Sequence, residues 1–310
     1  MRYFRQAMRR ALTVATLCLF GSGLCALVYQ TVWLRAFRLI FGASTPSTAA
    51  VLAIFLGGLG VGGIVLGRWV ERSARPLVTY GNLELGVALS TAVTPFLLDG
   101  ASFLYRSLGG SEGLGIVSTP VRIALSAIVL GVPVVLMGGT LPAAARAVTS
   151  AGDVGRRGLS LLYGTNTLGA VTGVVLSTFL LLEVYGARRT LWLACLLNAL
   201  VAVAARAVGR KLDAVVAAPP LPVDEKRALV ASTRWVLVAA FITGAVFMVA
   251  ELVWYRLAAP LLGGSTYTFG LVLACALLGV GGAACCTRCS RRPSRRRARS
   301  PSPAPSRDAR

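Results

Sequence analysis

Apolar runs of about 20 residues recur along the whole chain, and no other feature restricts its fold as strongly. A run of that length can cross the hydrocarbon core of a bilayer as an α-helix. Hydrophobic residues make up 56% of the sequence, above the roughly 45–50% of a soluble domain. The sequence predicts an all-α fold, a polytopic transmembrane helical bundle with about eight spans. The predicted spans are residues 12–32, 47–67, 77–98, 121–141, 159–182, 190–207, 235–254 and 268–286.

The formal net charge of +21 follows the positive-inside rule and does not indicate a nucleic-acid-binding face. With the N-terminus in the cytoplasm, 25 of the 32 Lys and Arg residues lie on the cytoplasmic side and 7 lie in outer loops. We therefore expect a multi-pass protein of the bacterial inner (plasma) membrane with cytoplasmic N- and C-termini. The expected partner is the lipid bilayer, and no nucleic acid is expected.

Seven cysteines and no histidine limit the metal chemistry that the chain can support. Cys286 and Cys289 have C-x-x-C spacing, with Cys285 adjacent, but a structural zinc site needs four ligands and a second pair. The remaining cysteines fall inside predicted spans, where a free thiol behaves as a small hydrophobic group: Cys18, Cys25, Cys195 and Cys275. We expect no metal and no cofactor.

Residues 20–60 recur as residues 241–281, and this internal repeat argues against a cleaved signal peptide at the N-terminus. The two stretches align without a gap, with 15 of 41 positions identical. The second copy begins six spans after the first, so both copies cross the membrane in the same direction. Such a parallel repeat, related by an axis along the membrane normal, is the arrangement of the two halves of a major facilitator transporter.

The stretch "GRWVERSARP", between the second and third spans, is similar to a cytoplasmic loop of major facilitator proteins. That loop reads Gly-x-x-x-Asp/Glu-Arg-x-Gly-Arg, and the matching residues here are Gly67, Glu71, Arg72 and Arg75. Ala74 stands where that family has Gly.

Further stretches resemble the membrane domain of bacterial fused major facilitator/spermidine synthase proteins, often called spermidine synthase-like membrane proteins. They are residues 22–45, 75–89, 137–148, 162–190 and 251–256, and the resemblance covers nearly all of residues 12–286. It implies a facilitator-like bundle. In longer members a soluble aminopropyltransferase domain follows, which takes decarboxylated S-adenosylmethionine and a polyamine. No strand and Gly-rich loop typical of that domain occurs here, so we expect no catalytic residues in this chain.

The expected domain organisation follows from these patterns. The second half ends after two spans, where a facilitator half has six, so we expect a truncated relative that arose through a frameshift or a misplaced gene boundary. The expected segments are a basic cytoplasmic N-terminus (1–11), a first six-helix half (12–207), a cytoplasmic linker (208–234), the start of a second half (235–286) and a disordered Pro/Ser/Arg tail (287–310).

Glu84 is the leading candidate for a functional polar residue. It lies about seven residues into the third span, or ~10 Å deep at 1.5 Å per residue, where an unpaired carboxylate is costly. One interpretation is a proton or cation path. The other is a structural carboxyl that ties this span to a neighbour, with Asn82 nearby.

The repeat contributes a second set of candidate polar residues. Gln30 and its counterpart Glu251 lie three residues before a tryptophan and five before Arg35 and Arg256. Trp33 and Trp254 are predicted to be interfacial anchors. A sharper hypothesis pairs Glu251 with Arg35 across the two copies.

Small-residue ridges predict where helices approach closely. They are Gly58-x-x-x-Gly62, Gly63-x-x-x-Gly67 and Gly169-x-x-x-Gly173. Asn166 and Asn198 are expected to form hydrogen bonds between helices.

Three functional interpretations stay open at this point. The first is a facilitator-like membrane protein that handles a small, cationic solute, whose identity the sequence does not give. The second is the membrane anchor of a separate spermidine synthase-type aminopropyltransferase domain. The third is an inactive fragment.

Overall fold

The structure is a computed structural model that describes residues 2–42, 44–148, 156–216 and 223–290. Side chains are described for residues 12–42, 44–110, 112–148, 159–211 and 235–282. Within these ranges the chain is helical and has no strand, which confirms the prediction of an all-α, polytopic helical bundle. Residues 291–310 of the predicted tail, and the side chains of Cys285, Cys286 and Cys289, lie outside the described residues.

Eight long helices account for most of the described residues. A short helix, Gly110–Leu114, and a 3₁₀ turn, Gly115–Val117, connect the third to the fourth. The fifth continues through a π-helical turn, Ser177–Leu181, to Leu182–Val184. The helices are α1 Arg2–Phe41, α2 Thr45–Glu71, α3 Pro76–Ser107, α4 Ser118–Val148, α5 Arg156–Leu176, α6 Gly186–Val216, α7 Val223–Leu262 and α8 Thr266–Ser290.

The chain is a multi-pass membrane protein. Over the described residues, seven of these helices are long and apolar enough to cross a bilayer, from α1 to α7. The eighth, α8, contributes the shorter apolar stretch Thr266–Gly282. The expected eight spans therefore correspond to eight apolar helices.

The two copies of the repeat begin and end at equivalent residues. Both α1 and α7 are 40 residues long. Their first residues, and likewise their last residues, are separated by the same number of positions as the two aligned copies of the repeat. Each is followed by a glycine with positive φ, 88° at Gly42 and 79° at Gly263, a conformation that a residue with a side chain rarely adopts. The helix that follows then begins three residues later in each copy, at Thr45 and at Thr266. The same helix–turn–helix unit therefore occurs twice.

Close helix pairs form around small residues. At the crossing of α2 and α4, a Cβ on Gly62 would lie 2.0 Å from the backbone oxygen of Val135. At the crossing of α1 and α5, a Cβ on Gly169 would lie 2.0 Å from the backbone oxygen of Phe20. Neither site has room for a side chain, so these glycines set the distance between the helix axes.

The helix α1 packs against α5 and α6, and α3 packs between α4 and α6. The helix α2 packs mainly against α4, and α8 packs mainly against α5. The core contains large side chains of α1 that are fully buried, among them Tyr29, Trp33 and Phe37. The helix α7 is peripheral, since 6% of its apolar window is buried against 22–44% for the other candidate spans. The end of the bundle where α1 begins is called the N-terminal face below, and the end that holds the turns after Phe41 and Leu262 is called the turn face.

Candidate functional site

Glu84 lies at the centre of the contact between α1, α3 and α6. Its side chain is 1% exposed, and it is eight residues, or about 12 Å, from the start of α3 at the N-terminal face. The carboxyl group faces the side chains of Ser22, Tyr80 and Asn198. Asn198 Nδ2 also donates a hydrogen bond to the backbone carbonyl of Glu84, at 3.0 Å. The acid is therefore surrounded by neutral polar groups from three helices.

The asparagine beside Glu84 is Asn198, and the expectation that Asn82 lies near the carboxyl was wrong. Asn82 is exposed. Two residues along an α-helix correspond to a rotation of about 200°, so Asn82 lies on the opposite side of α3 from Glu84. Asn198 was expected to bond between helices, and it does so from α6 to α3.

One face of α1 carries a line of small polar and sulfur-containing side chains toward α3 and α6. These residues recur every three or four positions, the spacing of one helix face. Cys18 and Cys25 lie close to Glu84, and Tyr29 lies beside Cys25 and Cys195. We call the whole group the polar seam, which comprises Cys18, Ser22, Cys25, Tyr29, Tyr80, Glu84, Thr91, Cys195 and Asn198.

Trp33 closes the polar seam toward the turn face. Its Nε1 donates to Thr94 Oγ1 at 3.0 Å, and Thr94 Oγ1 donates to the carbonyl of Thr91 at 2.7 Å. Pro95 has no N–H to donate to that carbonyl, so the Thr94 hydroxyl supplies the missing hydrogen bond. The turn of α3 that precedes Pro95 is in this way tied to α1.

Trp33 is therefore not an interfacial anchor, which corrects the expectation from sequence. It is fully buried and eight residues, or about 12 Å, from the end of α1. The helix runs to Phe41, past the predicted end of the span at residue 32, because Phe37 and Phe41 continue its buried face. Trp254, at the same position in α7, is 52% exposed, so the two tryptophans occupy different environments.

The polar seam contains four buried oxygen atoms with no hydrogen-bond partner among the described residues. They belong to residues that are 0–1% exposed. Folded proteins pair the large majority of buried polar atoms, and three of these atoms do have a polar side chain beside them, since Tyr80 contacts Glu84 and Tyr29 contacts Cys195. The atoms are Tyr29 Oη, Tyr80 Oη, Glu84 Oε1 and Thr91 Oγ1.

Gln30 and Glu251 occupy equivalent, buried positions in the two copies of the repeat. They are 6% and 3% exposed, and each lies 11 residues, or about 16 Å, before the end of its helix. Glu251 Oε1 has no partner within the described part of the chain. Arg35 and Arg256 are exposed. Among the described side chains, the ion pair that forms joins Arg188 to Asp99. Glu251 and Arg35 therefore do not form the ion pair that was hypothesised from the sequence.

A different arginine joins the two copies. Arg38 Nη2 donates to the carbonyl oxygen of Gly264 at 2.5 Å, and its guanidinium lies 5.6 Å from the centroid of the Tyr255 ring. Tyr255 Oη donates to the same carbonyl at 3.0 Å. The end of α1 is thus fastened to the turn between α7 and α8.

The loop that resembles the facilitator loop lies at the N-terminal face. The helix α2 ends at Glu71, Arg72 caps it, and α3 begins at Pro76 after Arg75. Glu71, Arg72 and Arg75 are exposed, and Gly67 lies in the last turns of α2. The loop lies apart from the polar seam.

Of the predicted packing glycines, Gly58 and Gly62 face α4, and Gly169 and Gly173 face α1. A Cβ on Gly173 would lie 2.2 Å from the backbone oxygen of Leu24. The second ridge of α2 is looser, since Gly67 has its nearest neighbour at 3.8 Å.

Arg122 is a buried cation, and it is one of the seven basic residues that the predicted topology counts in outer loops. It is 8% exposed and donates from Nε to Tyr105 Oη at 3.0 Å and from Nη1 to Ser47 Oγ at 3.2 Å. These contacts join the ends of α2, α3 and α4 at the turn face. Its position near the start of a helix, among apolar residues, was the feature of the sequence that could have indicated its burial.

Metal binding has no support in the described part of the chain, where no group of three or more His, Cys, Asp or Glu side chains is close enough to hold an ion. Cys18, Cys25 and Cys195 are free and buried, and Cys275 is free and exposed.

No protein-family model matches this chain, and no curated protein matches it. The function therefore has to be inferred from the residues themselves.

Proposed function

We propose that the protein moves a small cationic solute through the membrane, and that Glu84 is the carboxyl group that holds a proton or a cation during this step. The observation that carries the proposal is the environment of Glu84, which is 1% exposed and has one carboxyl oxygen without a partner among the described residues. An ionised carboxylate without a counter-charge is costly inside a membrane, so the group requires a proton or another cation.

A purely structural carboxyl fits these contacts less well. A side chain that served to tie helices together would use both oxygens in hydrogen bonds, whereas Glu84 Oε1 forms none of good geometry, although Ser22, Tyr80 and Asn198 contact the carboxyl. Asn198 makes the tie between α3 and α6 through the backbone carbonyl of Glu84, which does not need the carboxyl group.

The cationic character of the solute follows from the charges near the site. No basic side chain pairs with Glu84 among the described residues. Arg206 is the basic residue of α6 that is nearest in sequence to Asn198. The aliphatic part of its side chain packs at Gly81, which lies almost one turn closer to the N-terminal face than Glu84 does. A positive ligand would supply the counter-charge that the protein does not provide.

The architecture supports a facilitator-like mode of action. The repeated helix–turn–helix unit, with equivalent glycines at Gly42 and Gly263, is what a parallel repeat requires. Fold alone does not assign an activity, so the proposal depends on Glu84. We further propose that both termini face the bacterial cytoplasm, because 25 of the 32 basic residues lie on that side of the predicted topology.

The test is transport by the purified full chain in proteoliposomes, with labelled putrescine as the probe because the resemblance implies polyamines. We expect wild type to exchange external label for internal putrescine. Glu84→Gln keeps the size of the side chain and should accumulate normally but lose the exchange. Glu112→Gln is the matched control, since Glu112 is an exposed acid on the short helix Gly110–Leu114.

Full exchange by Glu84→Gln would end the case for a functional carboxyl. If wild type shows no exchange, and instead recruits a separately expressed aminopropyltransferase domain to membranes, the anchor interpretation replaces the transport proposal.

A further inference from the structure

The outward-facing side of the contact between α3 and α6 ends, at the N-terminal face, in arginines that no acidic side chain neutralises among the described residues. We propose that this end binds one anionic phospholipid, with the lipid phosphate against Arg206 and Arg210 and a glycerol ester carbonyl against the amide of Asn82. The inference goes beyond the proposed function and does not depend on Glu84.

Two aromatic rings identify the outward-facing side of this contact. Phe96 and Trp192 are 60% and 41% exposed, and their ring centroids are 6.5 Å apart. An α-helix returns to the same direction about every 3.6 residues. Arg210 lies 18 residues, or about five turns, beyond Trp192, so these two residues share one side of α6. Asn82 lies 14 residues, or almost four turns, before Phe96 and therefore shares the outer side of α3.

The register of the two helices places the arginines of α6 beside the start of α3. The helices run antiparallel and meet closely at Gly81, where an added Cβ would lie 2.6 Å from Arg206 Cγ. The helix α3 begins five residues before that point, at Pro76, and Arg210 lies four residues beyond Arg206. Both distances are about 6–8 Å along the helices, so Arg210 lies level with the start of α3.

This end of the surface has an excess of positive charge. At the end near the turn face, Arg188 is neutralised by Asp99 at 2.6 Å. Neither Arg206 nor Arg210 has such a partner in the described part of the chain. Arg75, which precedes α3, is a third cation at the same level, and it is exposed. Like charges that lie close together repel each other, so a bound anion would lower the energy of the group.

Asn82 is a lipid-facing amide without a protein partner. It is exposed, lies about 9 Å along α3 from the start of the helix, and belongs to the candidate span Pro76–Ser107. Its side chain forms no hydrogen bond within the described part of the chain. An unbonded amide in hydrocarbon is costly. The headgroup and glycerol region is about 5–7 Å thick on each side of a bilayer, so a lipid with its phosphate at the start of α3 brings its ester carbonyls within reach of this amide.

Apolar side chains continue the surface toward the centre of the membrane. Leu89 lies about two turns beyond Asn82 and is 63% exposed, and Val203 lies about three turns beyond Trp192 and is 59% exposed. The surface therefore presents cations, then an amide, then apolar groups. A phospholipid presents its phosphate, ester and acyl chain in the same order, whereas a soluble phosphate would use the cations alone.

The first test counts the lipids that remain bound to the intact full chain, by native mass spectrometry in neutral detergent. We expect one phosphatidylglycerol to be retained at concentrations where phosphatidylcholine, which has no net charge, is lost. Arg210→Gln should weaken the binding of phosphatidylglycerol roughly fivefold, the effect of one cation near an anionic lipid. Lys211→Gln is the matched control, because it removes the same charge from an exposed residue about 100° further around α6. This control should bind phosphatidylglycerol as wild type does.

The contact with Asn82 is tested with ether-linked phosphatidylglycerol, which lacks the ester carbonyl oxygens. We expect wild type to bind the ester-linked lipid roughly two- to tenfold more tightly, the effect of one hydrogen bond. Asn82→Leu should bind the two lipids equally. Because Asn82 is exposed on the lipid-facing side, leucine at this position should not disturb the fold.

Glycerol 3-phosphate distinguishes a lipid site from a site for soluble phosphate. We expect it not to displace phosphatidylglycerol at equal concentration, and displacement would overturn the assignment to a lipid. Equal retention of phosphatidylglycerol and phosphatidylcholine, or wild-type binding by Arg210→Gln, would show that these arginines only extend into the interface and would overturn the site. Equal binding of the ester- and ether-linked lipids by wild type would overturn the contact with Asn82.

Discussion

Substitution of Gly169 by alanine is the sharpest test of the packing between α1 and α5. An added Cβ would lie 2.0 Å from the backbone oxygen of Phe20 and 3.0 Å from its Cα. Ordinary van der Waals contact begins near 3.4 Å, so the two helices must move apart at the crossing. The obstacle is backbone, which cannot rotate away as a side chain can.

Two opposing effects set the size of the change. Overpacking of a tight contact typically costs about 1–3 kcal/mol. Replacement of glycine by alanine within a helix favours folding by about 0.5–1 kcal/mol. We therefore expect Gly169→Ala to lower the free energy of unfolding by about 0.5–2 kcal/mol.

Gly131→Ala is the matched control. Gly131 is also a helical glycine within a predicted span, and a Cβ there would have nothing within 4 Å. This variant should keep or slightly raise the stability of the protein. The two variants should melt several degrees apart, since 1 kcal/mol shifts the melting temperature by roughly 2–4 °C in chains of 150–250 residues.

The assay can use the protein's own buried thiols. Cys18, Cys25 and Cys195 are free and buried, so a thiol-reactive fluorogenic dye should report their exposure as the detergent-solubilised protein unfolds. If Gly169→Ala melts at or above the temperature of Gly131→Ala, the close approach of α1 and α5 is refuted.

Three further predictions concern the turns, the buried arginine and the topology. Gly42→Ala and Gly263→Ala should each lower stability by about 1–2 kcal/mol, because both glycines have positive φ; unequal melting shifts would contradict the equivalence of the two turns. Arg122→Met should lower stability by about 1.5–3 kcal/mol through the loss of two charge-assisted hydrogen bonds, and a melting temperature above wild type would contradict a net stabilising effect of these bonds. Reporter fusions at residue 215 and at the C-terminus should both read cytoplasmic, and a periplasmic signal at either site would refute the proposed orientation.

The helices and the repeated turn could be predicted from sequence because the membrane leaves few alternatives. Backbone polar groups must bond within the segment when they lie in hydrocarbon, so an apolar run of the right length becomes a helix. The alignment of Gly42 with Gly263 likewise predicted two equivalent units, and both glycines have the positive φ that the turn requires.

The ends of the helices were harder to predict. Whether a side chain lies inside the bundle or at its surface depends in several cases on where its helix ends. Span 1 was expected to end near residue 32, since Arg35 and Arg38 resemble a charged boundary. The helix continues to Phe41 because Arg35 lies on the exposed face and Arg38 bonds to the turn at Gly264. Trp33 consequently lies inside the bundle rather than at its surface.

The neighbours of Glu84 could not be predicted, although its depth could. Ser22 belongs to α1 and Asn198 belongs to α6, and no periodicity within α3 relates these positions to Glu84. The pairing depends on which helices touch, and that is set by small residues such as Gly81, whose missing side chain lets α6 approach α3.

The packing of α8 has a consequence for the order in which the protein assembles during its synthesis. Gly270 of α8 fits against Thr178, in the π-helical turn that follows α5, and Phe269 is fully buried in the same core as Tyr29 and Trp33. The ribosome makes α8 last of the eight helices, so one side of the α1–α5 pair stays uncovered from the synthesis of α5 until that of α8. At about 5–20 residues per second, that wait lasts about 5–20 seconds, long enough for membrane chaperones or proteases to act on the open surface. Stop-codon variants that end just before residue 266 should therefore be degraded faster than the full chain, even though their first seven helices are intact.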